Sequence, residues 1–178
     1  VNAQPIWFPP SPNECKVMTG QKGKVPVCLR YVMAAGSVNR MEAALGRNGE
    51  NPVLKHLDKF KNSRRKNRQR RYADILEVLE DFVNDPLSMS TRELNYLRND
   101  IWELKHGTLR ILFGQGACTD TREETRTKPR LAIPTNLQQP DPTSTCGRAT
   151  NAYPKKDEEA PRGEIDLAVG IMSEDKKR

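Results

Sequence analysis

From Tyr72 onward, apolar side chains recur at three- and four-residue steps: Tyr72, Ile75, Leu76, Leu79, Phe82 and Val83. Asp74, Glu77, Glu80 and Asp81 take the opposite face. This period predicts an amphipathic helix with one buried stripe. Pro86 limits it, because the residue before a proline is pushed out of the helical region, so the helix stops at Asn84-Asp85. Most of the stability of such a helix comes from packing, so the chain must supply an apolar surface for the stripe.

The segment after Leu94 supplies it. Ile101, Glu103 and Lys105 alternate with Trp102 and Leu104, and Leu109, Ile111 and Phe113 alternate with Arg110 and Leu112. His106-Gly107 offers a tight turn between them. We predict two antiparallel strands over 101–105 and 108–113, packed on the 72–83 helix. Trp102 and Phe113 read as core, since alternation with charged residues buries one sheet face.

Elsewhere the pattern is weaker. Residues 25–33 alternate like a strand, through Val25, Val27, Leu29, Tyr31 and Met33. Residues 34–45 predict a short helix, weakened by Gly36 and Gly46. Val53, Leu54, Leu57 and Phe60 have helical spacing behind Pro52, which suits a first turn. Residues 161–178 predict a closing helix with Ile165, Leu167, Ala168, Ile171 and Met172 as its stripe. Between these, 114–153 is rich in Pro, Thr, Gln and Asn, with Leu131-Ala132-Ile133 as its main apolar cluster. Only 35% of the 178 residues are hydrophobic, too few for a core that uses the whole chain. The expected organisation is an irregular extension over 1–24, a folded unit over 25–113 and 154–178, and a low-structure insertion over 114–153.

The formal net charge is +7. Much of it is concentrated in Lys61, Arg64, Arg65, Lys66, Arg68, Arg70 and Arg71, with no acid between them. Such a run is often just a solvated face, but this density favours contact with nucleic acid through phosphate neutralisation. No apolar anchor adjoins it, so a membrane partner is not expected. Cys15, Cys28, Cys118 and Cys146 are scattered, and His56 and His106 lack zinc spacing to them. No structural metal, no cofactor and a reducing cytoplasm are therefore expected. Residues 1–12 show no basic stretch followed by an apolar run, so no signal peptide is expected there. Phosphate loops, nucleophile elbows and zinc-protease motifs do not occur.

The block Leu97-Arg98-Asn99-Asp100-Ile101-Trp102-Glu103-Leu104-Lys105-His106-Gly107-Thr108-Leu109-Arg110-Ile111-Leu112-Phe113 resembles the core of the RelE/HigB-like toxins of bacterial toxin–antitoxin systems, in their phage-derived branch. Lys155-Lys156 followed by Ala160-Pro161-Arg162-Gly163-Glu164-Ile165-Asp166-Leu167-Ala168 resembles that branch's lysine pair and closing helix. The resemblance covers 52–178 apart from 114–153. It implies an α+β fold, a small RelE-like antiparallel sheet against two helices that precede it, with a C-terminal helix. In that family a final strand follows the arginine strand closely and leads into the lysines. Here 114–153 intervenes, so that strand is lost, displaced or rebuilt from 131–133.

The resemblance also implies metal-independent mRNA cleavage, often on the ribosome, and a cognate antitoxin as partner. In that chemistry the ribose 2′-hydroxyl attacks its own phosphate, so protons must move and charge on phosphorus must be neutralised. Arg110 carries over as the phosphate stabiliser, since a guanidinium fork matches two phosphate oxygens. Lys105, Lys155 and Lys156 are further candidates, and His106 is added on chemistry alone. Each has a plainer reading: Arg110 as a cross-strand partner of Glu103, His106 as a turn residue, the lysines as surface. The rival to a toxin ribonuclease is a non-catalytic RNA- or DNA-binding protein, or an inactive relic, on the same scaffold.

Overall fold

The computed structural model describes residues 30–117, 130–155 and 159–177. Among these described residues six strands form one sheet: β1 Val32–Ala35, β2 Arg40–Ala43, β3 Leu94–Arg98, β4 Ile101–His106, β5 Leu109–Gly116 and β6 Cys146–Pro154. Their spatial order is β1-β2-β6-β5-β4-β3. All pairs are antiparallel except β2 with β6. The helices are α1 Pro52–Lys61, α2 Lys66–Asn84 and α3 Arg162–Asp175. The chain is thus α+β, with a mostly antiparallel sheet.

Both sheet faces carry helices. On one, Val53 and Leu57 of α1 and Ile75, Val78, Leu79, Phe82 and Val83 of α2 share a core with Trp102, Leu104, Ile111 and Phe113. The Phe82 and Phe113 rings meet edge-on at 5.1 Å. On the other, Ile165, Ala168, Ile171 and Met172 of α3 pack on Ala44, Ile101, Leu112 and Tyr153. The two faces are the two parities of β4 and β5, as alternation requires. Where α3 crosses β5, Gly114 leaves the room: a Cβ there would lie 2.7 Å from the Met172 sulfur.

The helix pair and the hairpin agree with the sequence pattern. The basic run is both the connection between the helices and the first turns of α2. Asp85 follows the last residue of α2, just before Pro86. The turn between β4 and β5 falls at Gly107-Thr108, one residue later than expected, with Gly107 at φ 51°. The strand before it, β3, joins β4 through Asn99 and Asp100, both at positive φ. Asn and Asp tolerate that left-handed conformation, which two-residue hairpin turns need.

Three expectations are corrected. Residues 34–45 hold no helix; they contain the end of β1 and all of β2. A Cβ on Gly36 would lie 2.4 Å from the Val83 carbonyl oxygen, which instead accepts bonds from the Val38 and Asn39 amides at 3.0 and 2.9 Å. Met41, Glu42 and Ala43 are then fully buried between β1 and β6. The strand expected over 25–33 overlaps β1 only at Val32 and Met33; 25–29, like the 1–24 extension, lie outside the described residues.

The third correction is the largest. The described parts of 114–153 are no structureless insertion: β5 continues to Gly116, and Cys146–Pro154 is a central strand. Its apolar alternation is hidden because one face holds polar side chains that find buried partners. Thr150 Oγ1 donates to the Leu112 carbonyl at 2.9 Å, and Asn151 Nδ2 to Glu164 Oε2 at 2.8 Å. Arg148 pairs with Glu42, and its Nε lies 3.5 Å from Asp175 Oδ2. Leu131 and Ile133 are buried but form no strand; Asn39 clamps Ala132 between them through two 2.8 Å bonds.

Candidate active site: a cationic cleft on the sheet

The α3 side of the sheet is only partly covered. Beyond the first turn of α3, the surface of β3, β4 and β5 forms an open cleft of about 720 Å³. Register explains which residues meet there. Asn95 of β3 lies opposite Glu103 of β4, Lys105 opposite Arg110 of β5, and Arg110 opposite Tyr153 of β6. Directly opposed residues share a face, with Cβ atoms about 4.5–5.5 Å apart. Lys155 follows β6, its amide bonded to the Thr108 carbonyl at 2.5 Å. Among the described residues six cations line the cleft, Arg92, Arg98, Lys105, Arg110, Lys155 and Arg162, against two acids, Glu103 and Glu159.

At the centre is a buried trio. The Tyr153 hydroxyl donates to Glu103 Oε1 at 2.6 Å, and Arg110 Nε lies 3.7 Å from the same oxygen. Arg110 Nη1 donates to the Gly107 and Leu109 carbonyls at 2.9 and 2.8 Å, which fixes the guanidinium at the turn. Burial raises the Tyr153 phenol pKa, and its hydrogen bond to Glu103 and that carboxylate's charge raise it further. Tyr153 therefore remains a hydrogen-bond donor. Lys105 donates through Nζ to the Thr91 carbonyl. Burial lowers its pKa; Arg110 and Lys155 lower it too, and Glu103 opposes them. A lysine so placed gives up its proton more readily than one in water.

Of the candidates chosen from sequence, Arg110, Lys105 and Lys155 come together here, while Lys156 lies outside the described residues. His106 does not join them. It has the opposite parity on β4, and its Nε2 faces Asp74 Oδ2 of α2 at 3.7 Å. Arg64, Arg65, Lys66, Arg68, Arg70 and Arg71 are exposed, with Lys61 partly covered, on the α1–α2 side of the sheet. The His106–Asp74 contact brings the third turn of α2 to the last residue of β4, on the face opposite the cleft.

Glu103 and Tyr153 are the partners that sequence reasoning undervalued. Once the turn sets the hairpin register, Glu103, Lys105 and Arg110 must share a face. Arg92, Arg98 and Arg162 had no such signal, because β3 and the approach of α3 decide where they lie.

Among the described residues, no group of three or more His, Cys, Asp or Glu side chains could hold a metal ion. No helix among them is long and apolar enough to cross a membrane. Comparison with known protein families and with curated sequences returns no match.

Proposed function

We propose that the chain is a toxin-type endoribonuclease of the RelE/HigB-like kind, cleaving mRNA by 2′-hydroxyl attack in the cationic cleft. The observation that carries this reading is the convergence of Arg110, Lys105 and Lys155 on one face beside the buried Glu103. Support also comes from β6, which lies beside the arginine strand and runs straight into Lys155. That is the strand order the resemblance implies, with 117–145 as an excursion between its last two strands.

In the proposed reaction the 2′-oxygen forms a bond to phosphorus as the bond to the 5′-oxygen breaks. Glu103 takes the 2′-hydroxyl proton, and Lys105 gives one to the departing 5′-oxygen. The products are a 2′,3′-cyclic phosphate and a 5′-hydroxyl. Arg110 neutralises the charge that builds on the phosphoryl oxygens, and Tyr153 holds Glu103 in place. Arg92, Arg98, Lys155 and Arg162 position neighbouring phosphates, and an antitoxin that masks the cleft should be acidic.

The test is cleavage of end-labelled mRNA by the purified protein, with and without ribosomes, together with growth on tight induction in bacteria. Arrest with cyclic-phosphate ends, lost in Arg110→Ala, supports the reading. Salt-sensitive binding without cleavage favours instead a nucleic-acid-binding protein, the reading motivated by the exposed basic start of α2.

A further inference from the structure

Phosphate contacts hold RNA but carry no sequence information; a side-chain amide, which both donates and accepts, can pair with a base edge as well. The cleft is rich in the first kind. Among the described residues that line it, Asn95 provides the one side-chain amide. It sits on β3, half-buried, at the cleft edge away from Arg110. Next to it Tyr96 is held against Trp102, ring centroids 5.4 Å apart, so this part of the strand is fixed to the core.

We infer that Asn95 reads the base of the bound RNA and selects one with an exocyclic amino group beside a ring acceptor, as in adenine and cytosine. This rests on the RNA reading of the cleft. The amide oxygen accepts from the amino group while the amide nitrogen donates to the ring nitrogen. The reverse pairing, with a keto oxygen, is discouraged by the cross-strand neighbour. Glu103 lies directly opposite Asn95 and is 6% exposed. Its carboxylate, fixed by Tyr153 and Arg110, repels a keto oxygen brought alongside and attracts an amino hydrogen. Single-stranded RNA exposes these edges for such recognition. The nucleotide read by Asn95 lies next to the one whose phosphate meets Arg110.

The experiment uses short oligouridylates that carry one cytidine, one adenosine or one purine riboside at the centre. Cytidine differs from uridine, and adenosine from purine riboside, at the amino position read here. Cleavage is mapped for the intact protein and for Asn95→Ala, with circular dichroism to confirm folding. The expected result is cutting beside cytidine or adenosine about tenfold faster than at the matched base, with the ratio collapsing in Asn95→Ala. Equal cutting by the intact protein, or a ratio unchanged by the substitution, overturns the inference and leaves the ribonuclease reading intact. If nothing is cut, fluorescence anisotropy with the same oligonucleotides decides. A cytidine-over-uridine binding preference that disappears in Asn95→Ala upholds base reading and removes cleavage, whereas indifferent binding overturns both.

Discussion

Tyr153 and Glu103, 50 positions apart in the chain, are joined across three strands by a 2.6 Å hydrogen bond in the sheet interior. β5 runs between their strands, and its Arg110 lies within 3.7 Å of the same carboxylate oxygen. The bond therefore ties the last strand to the hairpin at the site itself. Removing the hydroxyl with Tyr153→Phe should cost about 1.5–3 kcal/mol in urea unfolding, the range for a hydrogen bond to a charged group. The raised phenol pKa adds a pH dependence with a definite sign. Its contribution to stability is full below the unfolded value near 10 and is lost as pH rises above it. Alkaline unfolding of the intact protein should exceed that of Tyr153→Phe, measured by melts between pH 8 and pH 11.

Arg110 should separate charge from geometry. Arg110→Lys keeps a cation beside Glu103, so the fold should survive, but a point charge cannot reproduce the guanidinium fork. Cleavage should fall by about 10²–10³ in kcat with little change in KM. A comparable rise in KM with kcat unchanged would mark Arg110 as a binding group.

Lys105 should trade stability for activity. Its folded pKa lies below the usual lysine value, chiefly through burial, so its charged form opposes folding at neutral pH. That cost is relieved as pH rises through the folded and then the unfolded pKa. Lys105→Met should thus lose cleavage activity without losing thermal stability at pH 7. Its melting temperature should also vary less with alkaline pH than that of the intact protein.

The start of α2 makes a similar prediction on the other face. Lys66 and Arg68 stand in the first turn, which holds no acid, and Arg65 gives no side-chain cap. Cations at that end oppose the helix dipole, at about 0.3–1 kcal/mol each. Lys66→Glu should raise the urea midpoint and weaken RNA binding. Arg68→Gln with Arg71→Gln should lower the slope of log K against log salt by about 1.4, roughly 0.7 for each phosphate of a single strand no longer neutralised.

Asp175 is the anchor of α3. Its Oδ1 accepts from Arg30 Nε and from the Leu45 amide, both at 2.8 Å, and Oδ2 faces Arg148. Arg148 is deeply buried, and burial, aided by Arg30, brings its pKa down to about 10, so it stays charged at neutral pH. Asp175→Ala leaves buried cations short of a partner and should cost about 3–5 kcal/mol in chemical denaturation.

Much of this fold can be read where one periodicity dominates. Ile75, Leu79 and Phe82 mark α2, and Trp102, Leu104, Ile111 and Phe113 mark the hairpin, because each buries one apolar face against the other. Arg110 and Lys105 follow from that same hairpin register. What escapes the eye is held by distant polar partners. Arg148, Thr150 and Asn151 look like loop residues until Glu42, the Leu112 carbonyl and Glu164 are in place around them. Residues 34–45 mislead for a related reason: the Val83 carbonyl and β6, both remote in sequence, outweigh a weak local preference for helix. His106 fails because the sequence pattern reads it as a turn residue; β4 runs through it, and alternation then puts it on the face opposite Lys105.

The position of β6 also bears on how the protein comes into being. The strand that joins β2 to β5 is made after both, and Lys155 and Arg162 come later still. Pairings between segments so far apart form slowly, since a long loop must close first. A nascent chain carrying everything up to β5 would have a sheet in two pieces and a cleft without its β6 and α3 walls. The order of synthesis thus delays assembly of the cationic cleft until β6 and the first turn of α3 have been made.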